Sequence, residues 1–470
     1  MGKHVARSRS GVLCGGVIKF SELRRELRPT LALAFPVIVS QMSQMLMGIT
    51  DSVMIGRVGV VSLAAASFTS AVFGLFYIVG IGLLLPVAVL VARAHGGQRP
   101  ADCAEYLRHG MWVGLGAGAL EAALMAALAY RLSWFGQPPE VIAEVGPFFL
   151  LIAASLVPVL LYQVLRQYSE AMGHPWSAMV VLLLGVGLNA FLNWVFIWGH
   201  LGAPALGLLG SGCATLISRV AAVGVLWIWL HHFRDLQAAW PARWRGALDP
   251  LRLREMFSLG IPAAGQLMFE AGAFTAAALM MGWLGTVPLA AHQIAINCAS
   301  FTFMVPLGLA LATSMRIGKC VGEGRREALR PIGFGSLGAG VAFMAAAAVV
   351  FILAGDWFAR GFTPEPVVVA LAARLLVVAS VFQMFDGAQV IGAAALRGLT
   401  DVKVPTVITF VAYWVIALPG GYLLAFKLGA GPVGVWAGLA AGLGFAALLL
   451  GWRFHHKTLP PSERTRTFLT

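Results

Sequence analysis

About twelve stretches of mostly apolar residues run through this chain of 470 residues, and each is long enough to cross a bilayer. A spanning helix needs roughly 20 such residues. Only 11% of the residues are charged and 59% are hydrophobic, whereas a soluble domain has roughly 25% charged residues. These numbers exclude soluble, disordered, fibrous and disulfide-rich secreted proteins. We therefore expect an all-α integral membrane protein with twelve transmembrane helices.

The formal net charge of +13 comes from Lys and Arg residues that lie between the apolar stretches, mostly on one side of the predicted membrane. The opposite side carries four of them: Arg57, Arg131, Arg360 and Lys427. Because cytosolic loops are enriched in basic residues, we expect both termini in the cytosol and the protein in a bacterial inner membrane. This distribution does not fit nucleic acid as a partner.

The two halves of the chain repeat one another. The segment that begins at Phe35 aligns without a gap over the segment that begins at Ile261, and the same register pairs Gly82 with Gly308 and Arg99 with Arg325. Six spans per half predict two lobes related by a pseudo-two-fold axis along the membrane normal, with a central cavity between them. The predicted regions are a cytosolic arm 1–30, an N-terminal lobe 31–232, a linker 233–254, a C-terminal lobe 255–453 and a cytosolic tail 454–470.

Four acidic residues fall inside predicted spans: Asp51, Glu121, Glu270 and Asp386. A charge at the bilayer centre costs roughly 2.5–3.5 kcal/mol even on the lenient insertion scale, so such a group must face water, pair with a cation or take up a proton. Glu121 has no polar companion on its helix face, and we expect a structural role for it. Arg219 and Arg374 also lie in spans, and their pattern leaves open whether they snorkel to the surface or pair with an acid.

The acids share helix faces with amides, at spacings of one to three helical turns. The predicted stripes are Gln41, Gln44 and Asp51 on span one, Asn189 and Asn193 on span five, Gln266 and Glu270 on span seven, Gln293 and Asn297 on span eight, and Gln383, Asp386 and Gln389 on span ten. The amides could line a transport pathway or hold helices together by hydrogen bonds. His292 could be a buried hydrogen-bonded histidine or a proton relay. The repeat does not mirror the acids, so we expect different ion chemistry in the two lobes.

Several motifs together resemble the bacterial NorM-like branch of the multidrug and toxic compound extrusion family: PVIVSQMSQMLMGITDSVMIGRVG, NAFLNWVFIWG, LGIPAAGQLMFEAGAF, AAHQIAINCASFTFMVPLGL and VFQMFDGAQVIGAAALRG. The resemblance extends from about Leu31 to Arg453. It implies two six-helix lobes in a V shape, cation binding at Glu270 and Asp386, and a functional role for Asp51. Relatives often carry tyrosine one turn before the tenth-span acid, where this chain has Phe382, so an aromatic face is kept without a hydroxyl ligand.

From these features we predict a secondary antiporter that exports organic cations and amphipathic drugs in exchange for H⁺ or Na⁺. We expect no cofactor, a monomer, and small cationic or amphipathic molecules and the bilayer as its partners; Na⁺ could bind at Glu270 and Asp386. A lipid-linked precursor flippase and an ion channel are the alternatives. A membrane enzyme is disfavoured because no metal or nucleophile motif is present. The five cysteines have no paired spacing, so we expect free thiols: Cys14, Cys103, Cys213, Cys298 and Cys320.

Overall fold

The computed structural model describes residues 20–459. Within them, twelve helices are long and apolar enough to cross a membrane, as predicted. The helices are α1 Phe20–Gly56, α2 Val60–Gly96, α3 Pro100–Ala129, α4 Pro139–Ala171, α5 Pro175–Trp198, α6 Leu208–His232, α7 Pro250–Leu284, α8 Thr286–Gly322, α9 Leu329–Phe362, α10 Pro366–Gly398, α11 Lys403–Lys427 and α12 Gly431–Thr458.

Some local features differ from the sequence-based expectation. Helix α1 begins at Phe20, so the second part of the predicted arm 1–30 is helical. Helix α4 is interrupted at Ser155, whose hydroxyl donates to the Ile152 carbonyl oxygen at 2.6 Å. The predicted arm before residue 20, with Cys14, and the tail after residue 459 lie outside the described residues. The four described cysteines are free thiols: Cys103, Cys213, Cys298 and Cys320.

Prolines shape the ends and the middles of these helices. Helix α7 begins with Pro250, and the Asp249 side chain before it accepts a hydrogen bond from the Leu251 N–H at 2.9 Å. A proline at the first turn lacks only a donor that the helix would leave unpaired in any case. Four further prolines lie inside helices that border the other lobe: Pro36 in α1, Pro86 in α2, Pro262 in α7 and Pro306 in α8.

The twelve helices form two six-helix lobes, α1–α6 and α7–α12, which are joined near one face of the bundle. We call this face, where α1 begins and α12 ends, the terminal face. The core near it includes Leu84 of the first lobe together with Met256 and Met315 of the second. Toward the opposite face each lobe has its own core, one around Phe149 and the other around Trp436. The lobes therefore separate with distance from the terminal face.

Glycines from both halves of the repeat make the close contacts between the lobes. A Cβ atom built on Gly82 of α2 would lie 2.3 Å from Cα of Ala264 in α7. A Cβ atom on Gly308 of α8 would lie 2.9 Å from Cα of Ile38 in α1. The repeat aligns Gly82 with Gly308 and Ile38 with Ala264, so these contacts are related by the pseudo-two-fold axis. Only a residue without a side chain lets the backbones approach so closely.

Ion pairs join the lobes at the terminal face in the same pseudo-symmetric way. Glu26 of α1 accepts hydrogen bonds from Arg316 at 2.7 Å and from Arg325 at 2.5 Å, and its side chain is buried. Arg252 of α7 donates to Asp102 of α3 at 2.7 Å. In the register of the repeat Glu26 aligns with Arg252. The aligned position is therefore the acid in one contact and the base in the other. We call these ion pairs the terminal latches.

We expect Glu26→Gln to weaken the junction between the lobes. The substitution leaves Arg316 and Arg325 without a carboxylate, and breaking charged hydrogen bonds at a partly buried site costs about 1.5–3 kcal/mol. The apparent Tm of the purified protein should fall by several degrees. The matched control is Glu22→Gln, because Glu22 is exposed and lies one turn before Glu26 in α1. Equal Tm values for the two variants would show that the latch adds no stability.

Candidate functional site

The polar stripes of α1 and α5 meet inside the first lobe. The Asn193 side-chain N–H donates to the Asp51 carboxylate at 2.6 Å and to the Asn189 side-chain oxygen at 3.3 Å. The Asn189 N–H in turn donates to the Thr215 hydroxyl of α6 at 3.5 Å. Asn189 and Asn193 are fully buried, and Asp51 is half-buried. These amides hold the Asp51 carboxylate in place on one side, and its other side remains available to a ligand.

Asp51 faces a cavity of about 420 Å³ whose wall comes entirely from α1–α6. The polar part of the wall includes Gln44, Asp51, Tyr77, Tyr162 and Arg219. This cavity lies within the first lobe, and the central cavity between the lobes that the repeat predicts stays a prediction. The observed cavity lies there because the stripes of α1 and α5 face each other across the first lobe. Cavities of this size are large enough for a drug-sized ligand.

Arg219 on α6 is the cationic group of this cavity. Its guanidinium donates to the Ser155 hydroxyl at 2.5 Å and lies over the Phe73 ring, 4.5 Å from the ring centroid. It therefore does not reach the helix end, and it forms no contact ion pair with an acid among residues 20–459; these are the two outcomes that the sequence left open. Arg374, the other arginine that the sequence placed inside a span, is exposed on α10.

The other two acids lie together in the second lobe. Asp386 on α10 is buried, and its Oδ1 atom has no hydrogen-bond partner among residues 20–459. Its carboxylate interacts electrostatically with that of Glu270 on α7. The buried hydroxyl of Tyr413 on α11 interacts with both acids and also lacks a described partner. Three helices thus bring two carboxyl groups and one hydroxyl into a single site, in which Asp386 and Tyr413 are buried and Glu270 is half-buried.

Aromatic rings enclose this acid pair. Phe382 packs edge-on against Trp436 and Phe274, with centroid distances of 5.1 and 6.0 Å. Tyr413 contacts Phe274 at 6.0 Å. Sequence reasoning noted that Phe382 has no hydroxyl but did not find Tyr413, which supplies one from another helix. A tyrosine in an apolar span carries no periodic polar signal, so only the tertiary fold could reveal it.

Two comparisons with known sequences agree. The model of the MatE family matches residues 36–195 and 262–423. Multidrug resistance protein NorM of Burkholderia vietnamiensis is 39% identical over 453 residues, covering 93% of this chain and 95% of that protein. Probable multidrug resistance protein NorM of Mesorhizobium japonicum is 36% identical over 461 residues, covering 93% and 96%. The chain belongs to the MatE family. It is a membrane transporter and not an enzyme.

Solved MATE structures have the same fold. The crystal structure of MATE in the bent conformation has a TM-score of 0.86 at 20% identity and covers 96% of this chain and 99% of its own. The outward-facing conformation of a multidrug resistance MATE family transporter has a TM-score of 0.85 at 20% identity, covering 94% and 99%. The family model matches this chain twice, once in each lobe, which agrees with the repeat found in the sequence.

The remaining predicted site residues of the MATE chain have different environments. Gln383 accepts from the Thr302 hydroxyl at 3.1 Å and donates to the Met344 carbonyl oxygen at 3.3 Å, so its amide links three helices. Gln389 is buried, and neither polar atom of its amide has a partner in the described chain. Gln266 is buried and Gln41 is half-buried.

Two further polar residues stand out in the sequence: His292, a buried hydrogen-bonded histidine or a proton relay, and Glu121, for which a structural role is predicted. His292 packs edge-on against Trp436 at 5.6 Å, and its Nδ1 atom has no hydrogen-bond partner within residues 20–459. Glu121 is buried on α3, and neither of its carboxylate oxygens finds a described partner. Both differ from ordinary structural polar groups, which are hydrogen-bonded when they are buried.

Proposed function

We propose that this MATE protein is a secondary active antiporter that exports organic cations and amphipathic drugs in exchange for H⁺ or Na⁺. The observation that carries the proposal is the acid pair of Glu270 and Asp386. Neither carboxylate lies within 4.0 Å of a basic side chain in the described part of the chain, although Arg397 interacts with Glu270 over a longer range. Two acids without a contact ion pair inside a membrane protein must reach water, bind a mobile cation or take up a proton, and each of these is what an ion-coupling site requires.

Coupling follows from simple electrostatics. A low-dielectric environment and a neighbouring negative charge favour the neutral form of a carboxyl group, and a nearby positive charge favours the ionised form. A bound proton or Na⁺ and a cationic substrate therefore oppose each other, even when they do not occupy the same atoms. Such opposition is a reciprocal coupling free energy between two ligands. Inward movement of one elementary charge at 100 mV supplies about 2.3 kcal/mol, enough for a gradient of more than tenfold.

The proposed transport cycle is a rocking of the two lobes. We place the terminal face in the cytosol because basic residues such as Arg93, Lys319 and Arg325 concentrate there. With the lobes joined at that face and apart at the other, the structure corresponds to an outward-open arrangement. Opening to the cytosol requires the terminal latches to break. Bending at the internal prolines of α1, α2, α7 and α8 would permit the movement.

We assign the substrate side of the cycle to the cavity of the first lobe, with Asp51 as its acid. Gln44 lies in its wall, and Asn189 and Asn193 orient the carboxylate. We also include five other residues predicted from the sequence in the proposed transport pathway: Gln41, Gln266, Phe382, Gln383 and Gln389. A flippase for lipid-linked precursors would need several basic groups for phosphates, and Arg219 is the sole basic residue among the described residues of this cavity wall.

Gradient dissipation in reconstituted vesicles tests the antiport proposal. We expect addition of a fluorescent organic cation to dissipate either an imposed ΔpH or an imposed Na⁺ gradient, and the responsive gradient identifies the coupling ion. Uptake of the dye should saturate with concentration, as expected of a carrier. Vesicles without protein are the control. Dye-independent ion current in single-channel recordings would contradict antiport and indicate a channel.

A further inference from the structure

Arg219 has more hydrogen-bonding capacity than the fold uses. A guanidinium carries five N–H donors. Within residues 20–459 its one hydrogen bond goes to the Ser155 hydroxyl, and no carboxylate lies within 4.0 Å of it. The face of the guanidinium is covered by Phe73, and the side chain lines the cavity. Its remaining donors are therefore available to a molecule inside the cavity.

A structural role alone does not account for the charge. A neutral amide could donate the same hydrogen bond to Ser155, and an apolar side chain could pack on Phe73. A guanidinium at membrane depth instead carries an insertion cost of roughly 2.5–3.5 kcal/mol. Arginine is also the side chain best suited to bind a planar carboxylate through two parallel hydrogen bonds. The position of Arg219 thus fits the binding of an anionic group.

The rest of the cavity indicates what carries that anionic group. Asp51 is the acid of the same wall, and it interacts electrostatically with Arg219 without forming a contact ion pair. Phe73, Tyr77 and Tyr162 contribute aromatic surface to the wall. A ligand that satisfies both charges has an aromatic body with a cationic group and a carboxylate. A simple organic cation would satisfy Asp51 but would leave Arg219 without a partner.

We propose that Arg219 is a specificity-determining residue that binds the carboxylate of zwitterionic aromatic substrates, while Asp51 binds their cationic group. The inference rests on the export function proposed above and adds the residue that discriminates between substrates with and without a carboxylate. Export of zwitterions then moves no net substrate charge, so that the coupling ion alone makes the exchange electrogenic.

The test compares two dyes that differ only at the anionic group. One is a rhodamine with a free benzoate, which is a zwitterion, and the other is its ethyl ester, which is a cation. Binding to the full-length protein in detergent is followed by fluorescence polarisation. Arg219→Gln, which can still bond Ser155, should weaken binding of the free acid by about tenfold or more, because a charged hydrogen bond is lost. Binding of the ester should change by less than about threefold.

Two further variants complete the design. Arg219→Lys keeps the charge but not the planar pair of donors, so it should recover part of the affinity for the free acid. Arg374→Gln removes an exposed arginine from α10 and should affect neither dye. Equal weakening of both dyes by Arg219→Gln, unchanged affinity for both, or failure of the wild type to bind the free acid would overturn the inference. Because binding is measured without a gradient, absence of ion-driven flux would count against the antiport proposal alone.

Discussion

Vesicles that contain Asp386→Asn should show no ion-driven efflux of a fluorescent organic cation above the rate of protein-free vesicles. Asparagine resembles the protonated acid in shape but cannot take up or release a proton, and its neutral amide lacks the negative charge that attracts Na⁺. Without this negative charge the coupling ion is not held in the second lobe, so its gradient no longer drives export of the drug. The measurement is dye efflux after an inwardly directed H⁺ or Na⁺ gradient is imposed across the vesicle membrane.

The matched control for this variant is Asp356→Asn. It makes the same chemical change on α9, where Asp356 is exposed, and it should leave the efflux rate unchanged. Glu270→Gln should reduce efflux as strongly as Asp386→Asn does, and the double variant should be no worse than either, since the two acids act as a unit. Wild-type rates in Asp386→Asn would remove that residue from the mechanism.

Gly96→Val and Gly322→Val should each slow transport by about tenfold or more. A Cβ atom on Gly96 of α2 would lie 2.1 Å from the Lys319 carbonyl oxygen, and one on Gly322 of α8 would lie 2.0 Å from the Arg93 carbonyl oxygen. Overpacking of this kind costs roughly 1–3 kcal/mol, and 1.4 kcal/mol changes an equilibrium tenfold. The lobes must then separate at the terminal face, and the arrangement in which they are joined there loses population.

Spin labels report this shift directly. Ala101 of the first lobe and Glu327 of the second are exposed near the terminal face. With spin labels attached through Ala101→Cys and Glu327→Cys, the distance between the labels should increase in both glycine variants. Gly74→Val on α2 is the control, because a Cβ atom there has no neighbour within 4 Å. Distances and transport rates equal to those of the control would show that close backbone contact at this junction is not needed for the cycle.

Much of the architecture could be predicted from the sequence. Helices in a bilayer must satisfy their own backbone, so apolar length alone predicted twelve spans. The gapless repeat predicted two similar lobes, and its paired glycines turn out to be the contacts that hold those lobes together. Gly82 and Gly308 match because each lobe packs one of its helices closely against a helix of the other lobe. The termini were less predictable, because α1 continues as a helix beyond its apolar stretch.

The sites were only partly predictable. Asp51, Glu270 and Asp386 stand out in the sequence because an acid in an apolar span is costly. Helical spacing assigns each acid to a face of its own helix, but it does not say which faces meet. The periodicity therefore could not predict that Asp51 shares a cavity with Arg219, or that Glu270 and Asp386 lie together.

What the sequence by itself determined is the number of spans, their duplication and the identity of the buried acids. Each of these follows from local hydrophobicity or from self-similarity along the chain. What only the tertiary structure decided is the pairing of residues from distant helices: Tyr413 with the acid pair, Arg219 with the cavity of Asp51, and Glu26 with Arg325 across the junction. Such pairings depend on how helices rotate and cross when they pack, and packing is a property of the whole bundle.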